Sequence, residues 1–263
     1  MSKQPAFFIP HGGGPCFFME DSAGMWTGMA RFLESLPALL PEAPKAILVV
    51  SAHWETKGFA FTGAAKPGLL YDYYGFPPHT YALTYPAPGA PSLAAHAASL
   101  LRAQGIDAFV DPDRELDHGV FIPLKVAFPD AHIPVVEMSV EQSFDPALHL
   151  AAGQALIELR DEGVMILGSG MSFHNMRAYG DPRASPGARA FDDWLTETVQ
   201  SDAAERTERL SRWSEAPSAR FAHPLRQEEH LLPLLVAAGS GAGKGERIYN
   251  EEVLSTALSG YRF

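Results

Sequence analysis

The sequence predicts one α/β domain, residues 1–263, built on a mostly parallel central sheet that is flanked by helices. Short apolar runs rich in β-formers alternate with stretches of helical period, which is the order of elements in α/β folds. The central runs are continuously apolar, as expected of strands covered on both faces. At 263 residues the chain is long enough to bury a full-sized core. The predicted strands are AFFIP (6–10), AILVVSA (46–52), FAFTG (59–63), IPVVEMSV (133–140) and VMILGSG (164–170).

Helix start and stop residues are clearest for the third of four predicted helices. Asp145 is a good N-cap, Pro146 suits the first helical position, and Gly163 lies just past the end. A long aromatic and proline-rich stretch, residues 69–91, is too irregular for helix or strand and is predicted to be a functional loop. The four predicted helices cover 22–37, 91–104, 146–161 and a segment that begins at Ser185 and Pro186.

The composition favours a small-molecule partner. The formal net charge is −11 and no cluster of lysines or arginines is present, which argues against nucleic acid or an anionic membrane surface. No apolar run approaches the roughly 20 residues that a membrane span needs. The N-terminal residues lack a secretory pattern, and the single cysteine, Cys16, excludes an internal disulfide. We therefore expect a cytoplasmic protein.

Three of the ten histidines follow predicted strands. His11 comes directly after AFFIP, His53 follows AILVVSA, and His174 follows VMILG after a few small residues. Ligands of open parallel sheets bind at the carboxyl ends of the strands, so these three imidazoles are expected to share one crevice. The other histidines at 96, 132 and 149 are predicted to lie at the surface or on helix flanks, and those at 79 and 223 in loops.

Two further histidines are candidates for the same site. His230, in QEEHLLPLL, stands at the predicted start of an apolar helix, where a cation is unfavourable but a neutral, metal-bound imidazole is not. Glu229 beside it is either a carboxylate ligand or a favourable first-turn acid. His118, in LDHGVFIPL, is either a capping residue or a polar group directed at the crevice. Imidazoles and a carboxylate are the common ligands of divalent transition metals, and an uncoordinated histidine can carry protons.

Rival motifs are weak. HGGGP (11–15) lacks the spacing of phosphate-binding loops, and GSGMS (168–172) is not the nucleophile elbow of serine hydrolases. Cys16 has no nearby cation and is interpreted as a small buried residue.

Six motifs occur in order along nearly the whole chain and resemble the class III extradiol ring-opening dioxygenases, specifically the 4,5-DOPA dioxygenase-like branch. The resemblance implies one α/β domain with a mixed central sheet and O₂-dependent cleavage of a catechol ring next to one hydroxyl. The motifs are HGGGP (11–15), SAHW (51–54), GFPPHTYALTYPAPG (75–89), DHGVFIPL (117–124), GSGMSFHN (168–175) and EEHLLPLL (228–235).

The resemblance also implies residue roles. His11, His53 and His230 correspond to metal ligands, and His174 to the acid/base histidine, which is also a candidate fourth ligand. His118 corresponds to a second pocket histidine with a catalytic role. The same motifs assign Tyr81, Tyr85, Gly13 and Asn175 to substrate binding, with a packing role as the alternative for the two tyrosines.

The implied cofactor is one divalent metal ion, with Fe(II) needed for turnover. The wider class uses a glutamate where this chain has His230, and an imidazole-rich site also suits zinc, so zinc is the alternative ion. Two other functions stay open: a zinc-dependent hydrolase with Glu55 or Glu229 as general base, and a non-enzymatic metal-binding interaction protein. The implied partners are a catechol and O₂, with a homo-oligomer as a further option.

Overall fold

One eight-stranded sheet organises the chain in the computed structural model, which describes residues 2–263. Its strand order is β4-β3-β5-β2-β6-β1-β8-β7. The sheet is therefore the predicted α/β sheet with further strands at both edges. The strands are β1 Ala6–Pro10, β2 Ala46–Thr56, β3 Phe59–Thr62, β4 Ala108–Asp111, β5 Val135–Glu141, β6 Val164–Gly170, β7 Glu246–Val253 and β8 Thr256–Arg262.

The centre of the sheet is parallel and its flanks are mixed. The neighbours β5, β2, β6 and β1 run parallel. As the apolar runs predict, β1, β5 and β6 are buried throughout, and β2 is buried over residues 46–52. On one side β3 is antiparallel to β5, and on the other β8 is antiparallel to β1 and forms a hairpin with β7. The strands missing from the prediction are β4, β7 and β8. Five of the eight residues of β7 are exposed, and β4 has only four residues, none of them fully buried, so neither contains the long apolar run used to recognise strands.

Nine α-helices occur among the described residues. They are α1 Thr27–Ser35, α2 Pro91–Ala103, α3 His118–Ala127, α4 Pro146–Ala155, α5 Ile157–Asp161, α6 Ser185–Gln200, α7 Ala203–Ser211, α8 Ala219–Ala222 and α9 Leu232–Gly239.

The predicted helix limits hold in part. The Asp145 side chain accepts hydrogen bonds from Ala147 N and Leu148 N, which confirms the predicted N-cap, but the helix divides at Leu156 into α4 and α5. The first helix starts five residues later than predicted because the Asp21 carboxylate binds the backbone N–H groups of Met25 and Trp26 in a turn. Ser185 lies inside α6 and provides no side-chain cap.

Helices cover both faces of the sheet, as two consecutive residues of β6 demonstrate. A Cβ on Gly168 would lie 2.4 Å from Pro233 O of α9, so that face has room only for glycine. The next residue, Ser169, donates its hydroxyl to Gly119 O of α3 on the other face. Because side chains alternate along a strand, α9 and α3 pack on opposite sides of β6. No helix within residues 2–263 is both long and apolar enough to cross a bilayer.

His149 is fully buried on α4, which contradicts its predicted position at the surface or on a helix flank. Its Nδ1 lies 2.7 Å from Asp145 O and its Nε2 accepts from Glu141 N at 3.1 Å, a pattern that only the neutral Nδ1–H imidazole satisfies. Burial lowers its pKa from 6.5 to about 4, against weaker opposing effects of Asp145 and Glu141. An amphipathic pattern identifies the inward side of a helix but does not show that a histidine lies on it.

We expect the free energy of unfolding to fall as the pH drops from about 6.5 to about 4. Over that range the unfolded chain binds a proton at His149 and the folded protein does not, so protons favour unfolding. The loss attributable to this residue is about 3 kcal/mol at 1.36 kcal/mol per pKa unit. Urea unfolding at a series of pH values tests this, with His149→Gln as the comparison. An equally steep pH dependence in the variant would contradict the assignment.

Candidate metal centre

The sheet brings histidines from three strand ends to one edge, as the sequence predicts. His11 follows β1, His53 lies in the last part of β2, and His174 follows β6. The His11 backbone N–H donates to Gly170 O at 3.2 Å, which continues the β1–β6 pairing up to the site. β2 shifts register against β5 between Val50 and Glu55, the segment that contains His53.

The segment before α9 brings His230 to the same edge. The Met171 backbone N–H donates to His230 O at 3.0 Å, and a Cβ on Gly170 would lie 2.1 Å from that oxygen. The small residues after the β6 core therefore allow this segment to lie directly against the strand end. His230 stands two residues before α9 rather than inside it, and the residue is 4% exposed.

Three imidazoles form a cluster with the spacing of metal ligands. The Nε2 atoms of His11 and His53 lie 3.1 Å apart. His11, His53 and His230 each offer a nitrogen, and these three atoms lie within 4.8 Å of one another. Two nitrogens at about 2.0 to 2.1 Å from one metal ion are roughly 3 Å apart in tetrahedral or octahedral geometry. The donor set therefore fits a divalent transition metal.

A buried serine fixes the protonation of His11. His11 Nδ1 lies 3.0 Å from Ser169 Oγ, and the Ser169 hydroxyl donates its own proton to Gly119 O. Ser169 must therefore accept from His11, which places the proton on Nδ1 and leaves the Nε2 lone pair free. Outer partners of this kind commonly orient histidine ligands of metals.

Glu229 plays the corresponding part for His230. Its Oε1 lies 2.9 Å from His230 Nδ1 and 3.3 Å from His174 Nδ1, the second contact without hydrogen-bond geometry. The His174 and His230 rings are stacked, with centroids 3.4 Å apart. Burial opposes ionisation of Glu229, but its contact with His174 and a backbone hydrogen bond outweigh burial and lower the pKa of Glu229. The carboxylate therefore carries a charge between the two imidazoles.

Asp72, from the irregular loop, supports the remaining histidine. Its Oδ1 accepts from the His118 backbone N–H at 3.0 Å and lies 2.8 Å from His118 Nδ1, while its Oδ2 is 3.8 Å from His53 Nδ1. Burial raises the pKa of Asp72, yet the hydrogen bonds and charge of His118 more than compensate and leave it lowered. The His118 ring lies 3.9 Å from the His53 ring, centroid to centroid. His118 is the first residue of α3, and Asp72 holds both its backbone N–H and its ring.

The three clustered histidines are neutral at physiological pH. Burial, reinforced by the neighbouring histidines, lowers the pKa of His11 and of His230 well below 6.5. Burial also lowers the pKa of His53 to about 4. Neutral imidazole is the form that binds a metal ion, so no proton has to leave before coordination.

A cavity of about 300 Å³ opens onto these histidines. Gly12 and Gly14 adopt positive φ angles of 79° and 53°, and a Cβ on Gly12 would lie 2.4 Å from Cys16 Sγ, so glycine is required for this turn. The lining comprises His11, His53, His118, His174 and His230 together with Gly12, Gly13, Gly14, Trp26, Met171, Met176, Tyr179 and Leu254.

Of the four residues predicted to bind substrate, only Gly13 lines this cavity. Tyr85 is 3% exposed in the hydrophobic core. The Tyr81 ring packs on Tyr73, with centroids 5.2 Å apart. Asn175 directs its amide away, donating to Phe221 O at 2.9 Å and accepting from the Arg177 backbone at 3.1 Å. The side chains of Tyr81 and Tyr85 therefore pack within the protein, and that of Asn175 stabilises its loop.

Two groups of site residues carried no usable signal in the sequence. Asp72 and Ser169 orient ligands, but Asp72 is one acid in a long irregular loop, and Ser169 is a small residue within an apolar strand. Trp26, Met176 and Leu254 line the cavity from turns far apart in sequence. Among the residues that support the histidines, only Glu229, adjacent to His230, was recognisable from the sequence.

Fold and site together define an α/β protein with a histidine-rich cavity at the carboxyl ends of its central strands. The chain belongs to the family described as the catalytic LigB subunit of aromatic ring-opening dioxygenase, whose model matches residues 5–261. The resemblance of the six motifs is thereby confirmed.

Curated relatives and a solved structure agree with this membership. The chain is 40% identical to the dioxygenase tasH of Hapsidospora irregularis, over 99% of this chain and 86% of that protein. It is 39% identical to the 4,5-DOPA dioxygenase extradiol of Beta vulgaris, over 93% and 90% of the two chains. A crystal structure of an uncharacterized protein from Escherichia coli K12 is 30% identical and superposes with a TM-score of 0.80, covering 99% of both chains.

Proposed function

We propose that this protein is a metal-dependent extradiol dioxygenase that opens the ring of a catecholic substrate. The observation that carries the proposal is the convergence of five histidines on one cavity in a chain of this family. In the proposed reaction one ring C–C bond beside a hydroxyl-bearing carbon breaks, and both atoms of O₂ enter the product. The product is a hydroxymuconic semialdehyde, so no external reductant is required.

We assign His11, His53 and His230 as the ligands of one divalent metal ion, with Fe(II) as the ion for turnover. When bound, the metal would supply Lewis-acid stabilisation of negative charge on the catechol oxygens and bring the catechol and O₂ together. Ser169 and Glu229 hold two of these imidazoles in the tautomer that presents a free lone pair.

We assign proton transfer to His174. It lines the cavity with its ring stacked on His230, and Glu229 Oε1 lies 3.3 Å from its Nδ1. In this role it accepts a proton from a catechol hydroxyl and returns one as the ring opens. His118, fixed by Asp72 through Nδ1, presents Nε2 as a hydrogen-bond acceptor to substrate.

The geometry gives less support to the zinc hydrolase. Glu229 Oε1 lies between His230 and His174, where it orients rings rather than facing the cavity. Glu55 is exposed and lines a different cavity, together with Arg220 and Glu228. Neither carboxylate lines the space where a water nucleophile would be activated. The non-enzymatic alternative leaves the arrangement of His174 and His118 around the cavity without a purpose.

Anaerobic loading with Fe(II), followed by catechol and air, is expected to consume O₂ and form a yellow product. Oxygen uptake and absorbance measured together give the stoichiometry, which should be one O₂ for each ring opened. The zinc-loaded protein serves as the control and should bind catechol without consuming O₂, because zinc has no redox chemistry. Absence of product across a panel of substituted catechols would refute the proposed function.

A further inference from the structure

One side of the cavity is apolar. Beyond the histidines and glycines, its lining consists of Trp26, Met171, Met176, Tyr179 and Leu254, which we call the apolar wall. Among residues 2–263 no lysine, arginine, aspartate or glutamate lines the cavity. Met176 is 65% exposed, so the wall extends to the cavity mouth. A charged group on a bound ligand would find no partner of opposite sign on this wall.

The one hydroxyl of the wall is already engaged. Tyr179 donates its phenolic proton to Phe173 O at 2.6 Å, and burial raises the pKa of the phenol far above 10. What Tyr179 offers the cavity is therefore its ring. The loop that carries it is tied to the other side of the wall, because the Gly180 backbone N–H donates to Leu254 O at 2.8 Å.

Leu254 reaches the cavity from a strained turn. It joins β7 to β8 together with Ser255, and the two residues have φ angles of 51° and 62°. Two-residue hairpin turns of this kind favour Asn-Gly, because both central residues are left-handed. A leucine in this conformation is unfavourable, and strain of this sort is concentrated at functional sites. Leucine presents an apolar side chain to the cavity, which neither asparagine nor glycine could do.

Long-range electrostatics also disfavour ligands with a negatively charged group. The formal net charge of −11 gives the protein a negative potential, which lowers the local concentration of anions. A carboxylate moved from water to an apolar surface without a partner also loses its hydration without compensation. Both effects disfavour catechols that carry an anionic or zwitterionic substituent.

We propose that the apolar wall binds the ring substituent of the substrate, and that the substrate class is catechols with an uncharged, apolar substituent. This inference rests on the proposed function for the catechol half of the molecule. It predicts that catechols with an amino-acid or carboxylate substituent are poor substrates of this protein.

The experiment compares two ligands of matched shape, 4-isopentylcatechol and dihydrocaffeate, which differ in whether the side chain ends in two methyl groups or a carboxylate. Binding is measured by tryptophan fluorescence on the anaerobic Fe(II)-loaded protein and again on the metal-free protein. Turnover of the same pair is then measured in air. We expect dihydrocaffeate to bind at least about 100-fold more weakly, since its charge is desolvated without a partner, and kcat/KM to follow.

Positive charge introduced on the wall should weaken this preference. Leu254→Arg, and Met176→Arg as a second variant at an exposed position, are expected to narrow the ratio between the two ligands at least about 10-fold, because arginine pairs with carboxylates. Met25→Arg is the matched control, since Met25 is an exposed methionine next to Trp26 that does not line the cavity. It adds the same net charge and should leave the ratio unchanged.

The outcomes separate the two proposals. The inference about the apolar wall would be overturned if both ligands bound equally well. It would also be overturned if the arginine variants folded and left the ratio of the two affinities unchanged. In either case, turnover of catechol would still support the proposed function. Selective binding of 4-isopentylcatechol without ring opening of any catechol would support the apolar wall and reject the dioxygenase. Failure of both ligands to bind would overturn both.

Discussion

Replacing His174 with glutamine is expected to leave the metal bound and to lower kcat by about 100-fold to 10,000-fold, the usual contribution of a positioned general acid or base. Glutamine keeps a polar side chain of similar reach but cannot exchange a proton. His11, His53 and His230 form a cluster that does not need His174, so the metal content should not change. Metal analysis of the purified variant, together with oxygen uptake on the best catechol, gives both values.

The informative alternative is loss of the metal. His174, Glu229 and His230 also lie close enough to offer ligand atoms within 4.8 Å of one another. If His174→Gln loses the metal, His174 is a ligand and the proton carrier must be sought elsewhere, with His118 as the next candidate. His96→Gln is the matched control, because His96 is a partly exposed histidine on α2 outside the cavity, and its metal content and turnover should equal those of the unaltered protein.

The sequence could predict the sheet centre and the histidines because both depend on local patterns. Four largely apolar runs became the parallel strands β1, β2, β5 and β6. Parallel strands that end together bring the residues that follow them to one edge, so His11, His53 and His174 could be associated before any contact was known. His118 and His230 follow no predicted strand, so their local sequence made them only candidates, and the family motifs were needed to assign them to the site.

The parts that sequence reasoning missed depend on tertiary contacts. Asp72 acquires its role only when the long loop packs against the start of α3, and no periodic pattern marks that contact. Leu254 lies on a hairpin whose turn lacks the Asn-Gly signal and whose first strand is mostly exposed. Tyr81 and Tyr85 show the opposite error, since the motif that contains them led to a predicted substrate contact for side chains that do not line the cavity.

The assignment of the metal ligands makes a graded prediction at His11. His11→Ala should weaken metal binding by more than the roughly 100-fold upper range of outer-partner mutations, because it removes a donor atom. Ser169→Ala removes only the group that fixes the His11 tautomer, and it should cost about 10-fold to 100-fold. Competition with a chelator of known affinity measures both losses.

The order of the two losses matters more than either value. If His11 binds the metal and Ser169 only orients it, Ser169→Ala must be the milder variant, and a small basic ligand such as imidazole should restore part of the binding to His11→Ala but not to Ser169→Ala. His79→Ala is the control, because His79 is an exposed histidine in the short 3₁₀ helix Pro78–Ala82, outside the cavity, and contacts Phe18 O. Equal losses at His11 and Ser169 would mean that the cavity, rather than the imidazole, had been disrupted, and circular dichroism of the two variants would show the change in fold.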